Sequence, residues 1–401
     1  MTSGQGSSCE HGFVSFVQGP LSLILSSAFR PAGTSSSRLL SCWLWSRRSA
    51  SFGDGFNPDG VDPVDVKWRA KLTALPKADL HLHQEAHRCL DRILARREGR
   101  AAFDWAAWRR HFMETVPPGP QRLRLIGSVK PVPLADDDDE MFVARFAELL
   151  EYEGAAGATY VEVRCGGDTI LKDGFMDLFR RAERQAQERY PRLRAEALAI
   201  VMMGMPPEWI REIADACIRT RSEGLAGVDF LYEPYLSEAD WTPIYALAER
   251  FAGVGLGITA HAGEMTPANI AAAARTPGLT RIGHGIYAAA EPALMDLLIE
   301  RQITLECALT CNTFLGAVPS LAEHPLPRLV ETGVKVTLAT DNPIQVGTTI
   351  EGEYAAAASL GVTAGQLAQI TRTAIQAGFT TPDRRSELLA ELDAYVNDAL
   401  R

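Results

Sequence analysis

Two histidines stand two residues apart at the end of an apolar run, Ala78-Asp79-Leu80-His81-Leu82-His83. On a β-strand that spacing sends both imidazoles to one face. Neighbouring imidazoles on a buried face are costly unless something binds their lone pairs, and a divalent metal does so. One hydrogen-bonded core histidine beside one solvent-facing histidine is the ordinary alternative. A third imidazole, His261, is followed in His261-Ala262-Gly263-Glu264 by a glycine that permits a tight turn and by a carboxylate. Glu264 alone reads equally well as a first-turn helix acid favoured by the dipole. His284 lies between two glycines in Arg281-Ile282-Gly283-His284-Gly285, set by its backbone either to cap a turn or to face a site. Thr340-Asp341-Asn342-Pro343 follows an apolar run and is, alone, ordinary turn chemistry. Each group has a bland account, but all of them at successive strand ends are better explained by one shared ion. Three histidines and one aspartate make a nitrogen-rich, borderline donor set. Zn2+ suits it best, and Fe2+, Mn2+ or Co2+ are compatible.

Such residues, far apart in sequence, meet only if the strands that end in them converge. Eight strand-like runs are present: Ala78–His83, Thr159–Arg164, Ala195–Met202, Gly227–Leu231, Gly257–His261, Arg281–Gly283, Thr304–Ala308 and Lys335–Thr340. Between them lie helical patterns at Phe142–Tyr152, Met176–Arg189, Trp241–Phe251, Ala288–Glu300 and Pro325–Thr332. Glu351–Leu360, Ala364–Ala377 and Arg384–Leu400 close the chain. Strands alternating with helices imply parallel β-structure with crossover helices, and eight units suit an α/β (β/α)8 TIM barrel with additional helices. In that fold the carboxyl ends of the strands share one mouth. A doubly wound open sheet would need a glycine-rich phosphate loop after its first strand, and His81-Leu82-His83-Gln84-Glu85 is unlike one. The acidic run Asp136–Glu140 reads as a solvated loop or a helix start.

Composition narrows the partners. The 401 residues are 46% hydrophobic and 22% charged, with a formal net charge of -10. An acidic surface repels phosphate backbones and anionic lipid, so neither nucleic acid nor a membrane is expected as a partner. No apolar run approaches the ~20 residues a spanning helix requires. The seven cysteines are scattered without a C-x-x-C pair, which implies buried thiols in a reducing, cytoplasmic setting. Residues 1–53 differ from the rest, with fourteen Ser, four Arg and Glu10 as the sole acidic residue. With the Gly/Pro/Asp-rich residues 54–65 as linker, they read as a disordered extension or an upstream stretch wrongly included in the reading frame, a transit peptide being the alternative. Residues 66–401 would then form the barrel.

The order His-x-His, His-Ala-Gly-Glu, Arg-Ile-Gly-His-Gly, Thr-Asp-x-Pro resembles the adenosine/AMP deaminase family of the amidohydrolase superfamily. Tyr160-Val161-Glu162-Val163-Arg164, His324-Pro325-Leu326-Pro327 and Gly347-Thr348-Thr349 leading to Glu353-Tyr354 support it. The resemblance implies that His81, His83, His261 and Asp341 ligate one zinc ion. It implies that His284 orients and deprotonates a water, to which Asp341 is also hydrogen-bonded. Glu264 would protonate the ring nitrogen beside the amino-bearing carbon, and the Gly227 backbone would contact the ring. The chemistry is coherent: a metal lowers the pKa of water from about 15.7 to about 7, and a carboxylic acid can protonate a ring nitrogen if burial raises its own pKa.

Departures from the family cluster around the substrate. Asn342 stands where adenosine-specific members have Asp, and an amide both donates and accepts. Gln84-Glu85-Ala86 replaces the usual Leu-Asp-Gly or Leu-Glu-Gly, and Tyr232 occupies a position where relatives often have a small residue. Glu85, Gly227 and Asn342 are thus the expected substrate contacts. The expected substrate is an adenosine-like or modified aminopurine, nucleoside or related heterocycle, and a homo-oligomer is compatible with the sequence. Hydrolysis of another amine or amide bond on the same barrel is the nearest alternative, against which Glu264 argues. A silent binding protein is the other.

Overall fold

The computed structural model describes residues 71–84, 95, 99, 101–126, 138–232 and 236–399. The stretch 1–65, Glu85 and Ala86 lie outside these residues. Eight strands form one sheet in sequence order: β1 (Lys77–His83), β2 (Ala158–Cys165), β3 (Arg194–Met202), β4 (Gly227–Leu231), β5 (Gly257–Ala262), β6 (Leu279–His284), β7 (Thr304–Cys307) and β8 (Lys335–Leu338). Successive strands pair in parallel. The sheet closes where His83 N–H donates to Asp341 O at 2.9 Å and Asp341 N–H donates to His81 O at 2.7 Å. The fold is the expected (β/α)8 barrel, with strand ends displaced from the sequence reading by at most two residues. β2 is buried along its whole length, as a parallel strand covered on both faces must be.

Helices cover the sheet at Asp139–Ala155, Phe175–Gln187, Pro207–Thr220, Thr242–Gly253, Pro292–Glu300 and Leu326–Glu331. The acidic run is a helix start: the Asp138 carboxylate accepts from Glu140 N–H and Met141 N–H. The pattern expected as one helix over Ala288–Glu300 is two pieces. A 3-10 turn, Ile286–Ala290, ends before Pro292, whose ring holds Glu291 extended and opens a new helix at Pro292. Three terminal helices, Ile350–Ser359, Ala364–Ala377 and Pro382–Ala399, match the reading closely.

Two helices that periodicity left unmarked, Trp105–Thr115 and Pro120–Ile126, pack on the segments that follow β7 and β8. Arg109 Nη1 donates to Ile344 O at 2.9 Å, Arg122 Nη1 to Phe314 O at 2.7 Å, and Gln345 Nε2 to Ile126 O at 2.8 Å. They hold the chain that carries the mouth of the barrel.

The barrel interior is polar. Arg164 Nε donates to Asp229 Oδ2 at 2.6 Å, and Arg164 Nη2 also pairs with Glu306. Arg281 lies 2.8 Å from Glu306 Oε1 and bonds Glu162. All five side chains are fully buried. At the amino-terminal end of the strands Phe379 closes the barrel, with the Arg281 guanidinium 3.6 Å from its ring centroid. Gly257 makes room for that ring, since a Cβ there would fall 2.2 Å from Phe379 Cγ.

Gly257→Ala is therefore expected to destabilise the fold by about 1–3 kcal/mol in urea unfolding. The loss should be smaller than additive when Phe379→Ala is combined with it; strict additivity would mean the ring is not what Gly257 accommodates.

Candidate metal centre at the barrel mouth

The mouth gathers the side chains that end β1, β5, β6 and β8. His81 Nε2 lies 3.7 Å and His83 Nε2 3.3 Å from Asp341 Oδ1. His83 Nε2 lies 3.3 Å from His261 Nε2. His284 Nε2 is 3.7 Å from Glu264 Oε1 and 4.0 Å from Asp341 Oδ2. Donor atoms of His81, His83 and Asp341 lie within 4.8 Å of one another, as do those of His81, His261 and His284, and those of Glu264, His284 and Asp341. Six residues read from the sequence thus meet in one place.

The local backbone bends sharply to bring them there. His284 and Asp341 adopt φ of 64° and 61°, a left-handed conformation uncommon for residues other than glycine. The glycines around them have separate reasons. A Cβ on Gly283 would sit 2.7 Å from His81 Cε1, and one on Gly263 would sit 2.5 Å from Ile270 Cδ1. Gly283 lets the His81 ring approach β6 closely, and Gly263, at φ 72°, lets the chain turn toward Glu264.

Partners behind the rings set their tautomers. His81 Nδ1 lies 2.9 Å from Glu306 Oε2, and His261 Nδ1 lies 3.2 Å from Asp229 Oδ1. A carboxylate accepts only, so each Nδ1 carries the hydrogen and each Nε2 turns a bare lone pair into the mouth. His81 Nε2 is buried there without a hydrogen-bond partner. Inward lone pairs beside the Asp341 carboxylate repel one another unless a cation lies among them. The residues present therefore fit a divalent ion with nitrogen and oxygen ligands.

Electrostatics follow from burial. Burial and then Arg164 hold the His81 pKa well below the usual imidazole value, and burial followed by His261 does the same for His284. Burial also opposes charge on His261, but Asp229 overrides it and raises that pKa. Burial and the nearby Asp341 carboxylate push Glu264 up to about 8. Its Oε1 is buried and unpartnered, so it is held as a neutral acid facing the mouth near pH 7. Burial lifts Asp341 to about 6 against a thiol hydrogen bond from Cys311.

One sequence expectation fails. Gly227 does not reach the mouth: it opens β4 at the opposite end of the barrel, where a Cβ would lie 2.6 Å from Phe379 Cδ2. The mouth end of β4 is Leu231, followed by half-buried Tyr232. Asn342 does stand at the mouth, where its Nδ2 donates to Asp341 Oδ1 at 2.7 Å. Glu85 lies outside the described residues. Sequence reasoning also missed the groups behind the site: Asp229, Glu306, Arg164, Asn312 and Cys311. The available signal was an ionisable residue inside a short apolar strand, as in Gly227-Val228-Asp229-Phe230-Leu231 and Thr304-Leu305-Glu306-Cys307. The described cysteines, Cys165, Cys217, Cys307 and Cys311, are free and buried as expected.

A family profile described as adenosine deaminase matches residues 134–395. The chain belongs to the adenosine deaminase family. Among curated members of this group, an adenine deaminase from Mesorhizobium japonicum is 41% identical over 141 residues, 35% of this chain and 44% of that protein. An aminodeoxyfutalosine deaminase from Streptomyces coelicolor is 29% identical over 362 residues, 84% of this chain and 88% of the relative. With several of these curated relatives the match spans about half of their length, 44% and 57% for two adenine deaminases. Among solved structures, an adenine deaminase from Arthrobacter aurescens superposes with a TM-score of 0.63 at 22% identity, covering 81% of this chain and 100% of the other. Among the described residues, no helix of this family member is long and apolar enough to cross a membrane.

Glu306→Gln should weaken divalent-metal affinity roughly 10–100-fold, because an amide can present a donor to His81 Nδ1 where the tautomer requires an acceptor. Unfolding should become easier by about 3–5 kcal/mol, since two buried arginines lose their shared anion. Metal titration and denaturant melts read the two effects separately, and unchanged affinity would remove Glu306 from the support of the site.

Proposed function

We propose that this protein is a zinc-dependent hydrolytic deaminase that releases ammonia from an adenosine-like or modified aminopurine. The observation that carries the proposal is Glu264, a buried neutral acid whose unpartnered Oε1 lies 3.7 Å from His284 Nε2 beside the inward-facing imidazoles. His81, His83, His261 and Asp341 would hold the ion, which when bound supplies the Lewis acidity that makes hydroxide available at neutral pH. His284 and Asp341 face the same space and position the attacking water over the amino-bearing ring carbon. Attack places electron density on the adjacent ring nitrogen. Glu264, protonated near pH 7, delivers its hydrogen to that nitrogen, which retains the ring electron pair while the C–O bond forms. The proton that the attacking water gives up to the site passes to the amino group; collapse then breaks the C–N bond, and ammonia leaves. Hydrolysis of a simple amide would not need an acid aimed at a ring nitrogen.

The substrate reading rests on the altered contacts. The Asn342 amide is turned toward Asp341, leaving its oxygen available as an acceptor. Tyr232 fills space at the end of β4. A curated match that spans 84% of this chain and 88% of the relative is to a protein named aminodeoxyfutalosine deaminase, which supports a substrate other than plain adenosine. A panel of adenine, adenosine and aminodeoxyfutalosine, followed by ammonia release with the zinc-loaded protein, tests the proposal; absence of ammonia from every aminopurine would sink it.

Asp341→Ala should lose bound metal and turnover together. Glu264→Gln should retain about one metal per chain and lose turnover by roughly 100- to 10,000-fold, the usual scale for removing a general acid. Metal analysis alongside ammonia release distinguishes them. Asn342→Asp should shift preference toward adenosine, read as the ratio of kcat/KM values; an unchanged ratio would mean that Asn342 does not read the ring.

A further inference from the structure

Behind His284 runs a chain of hydrogen bonds made entirely from neutral, buried groups. It starts at the backbone of the helix Leu326–Glu331, where Leu326 N–H donates to His324 Nδ1 at 3.1 Å. That Nδ1 is therefore bare, and a singly protonated His324 carries its hydrogen on Nε2. His324 stays singly protonated at neutral pH, because burial lowers its pKa to about 4. His324 Nε2 lies 3.3 Å from Asn312 Oδ1, and Asn312 Nδ2 lies 3.1 Å from His284 Nδ1. The three side chains are 3%, 0% and 1% exposed, so no solvent competes for these bonds.

The chain admits one arrangement of hydrogens. His324 Nε2–H must face an acceptor, which is the Asn312 carbonyl. The Asn312 amide nitrogen, a donor only, must then face His284 Nδ1, which accepts. Turning the Asn312 amide over would set its NH2 against His324 Nε2–H, two donors together in a dry interior, at a cost of about 1–3 kcal/mol for each unmade bond. With Nδ1 accepting, the His284 hydrogen sits on Nε2, the nitrogen 3.7 Å from Glu264 Oε1.

We infer that Asn312 and His324 are positioning residues that lock His284 as the Nε2–H tautomer, so that it meets the oxygen of the attacking water as a hydrogen-bond donor. His81 and His261 are the reverse case. Carboxylates behind those rings leave Nε2 bare and ligating, whereas an amide behind His284 leaves Nε2 protonated and non-ligating. Three imidazoles in one mouth thus receive different roles from the group behind each ring. With His284 Nε2 already carrying a hydrogen, the group there able to accept the proton of the water is the Asp341 carboxylate. The O–H bond of the water breaks, its electron pair stays on oxygen, and the proton passes to an Asp341 oxygen.

The inference rests on the deaminase reading for its catalytic consequence but not for the tautomer, which is measurable directly. In zinc-loaded full-length protein with 15N-labelled histidine, two-bond proton–nitrogen correlations report which ring nitrogen of His284 is protonated. The expected result is Nε2–H in the wild type. Asn312→Asp, which presents an acceptor, should move the hydrogen to Nδ1. It should also lower kcat by roughly 100-fold or more at unchanged metal content and with KM within about three-fold, in line with the effect of a wrong imidazole tautomer elsewhere. His324→Gln keeps a donor for Asn312 Oδ1 and should retain kcat within about three-fold, whereas His324→Leu should lose about ten-fold or more. A wild-type His284 protonated on Nδ1, or an Asn312→Asp protein with Nε2–H and normal kcat, overturns the lock. Ammonia release with an Nδ1–H His284 would refute the lock and leave the deaminase reading standing. An Nε2–H His284 without ammonia from any aminopurine would refute the deaminase reading and leave the lock standing.

Discussion

One buried carboxylate, Glu306, organises this molecule. It sits on β7 inside the barrel, where Arg164, Arg281, Thr259 and His81 all reach it. An isolated carboxylate in such a place would be too costly to keep ionised. Burial does push its pKa up, and the two guanidinium groups oppose that shift. The cost of desolvation is spread over a network in which Asp229 and Glu162 complete the pairing of the arginines. One network therefore spans strands β2, β4, β6 and β7 and orients two of the imidazoles at the mouth. Packing and chemistry share the same atoms.

Closure of the barrel and assembly of the site are likewise one event. β1 and β8 meet through backbone bonds between His81, His83 and Asp341, three of the residues whose side chains face the mouth. Asp79, two residues before His81 on β1, accepts from His81 N–H, Thr340 N–H and the Thr340 hydroxyl. Those bonds hold Asp341 in its left-handed conformation. The strain at Asp341 and His284 is maintained because strand pairing on one side and glycine-lined turns on the other leave the chain nowhere to relax. The bonds that close the barrel are thus also the bonds that place the site.

The chain is acidic overall, with a formal net charge of -10, yet burial shifts several groups at the mouth toward their neutral forms. Glu264 and Asp341 are both lifted toward neutrality by burial, and His81 and His284 are held neutral. The groups able to move protons keep pKa values near the working range because water is excluded from them.

Much of this was legible in the residues alone. Eight apolar runs alternating with helical ones specify a barrel, because β-period and helix-period patterns are local properties of the chain. His81, His83, His261, Glu264, His284 and Asp341 were readable because polar residues at the ends of apolar strands are conspicuous and the barrel mouth is the one place they can converge. The ring contact that the resemblance assigns to Gly227 does not follow from the strand pattern, which makes it the first residue of β4 and so places it at the end of the barrel away from the mouth. The break at Pro292 was passed over because apolar spacing continues across it. Asp229, Glu306, Asn312 and His324 acquired their roles only in three dimensions. A hydrogen bond between residues on different elements depends on register, strand tilt and side-chain direction, which arise when the sheet closes. Sequence determined which groups could do chemistry; the closed barrel decided which nitrogen of each ring would carry the hydrogen, because that depends on the atom lying about 3 Å behind it.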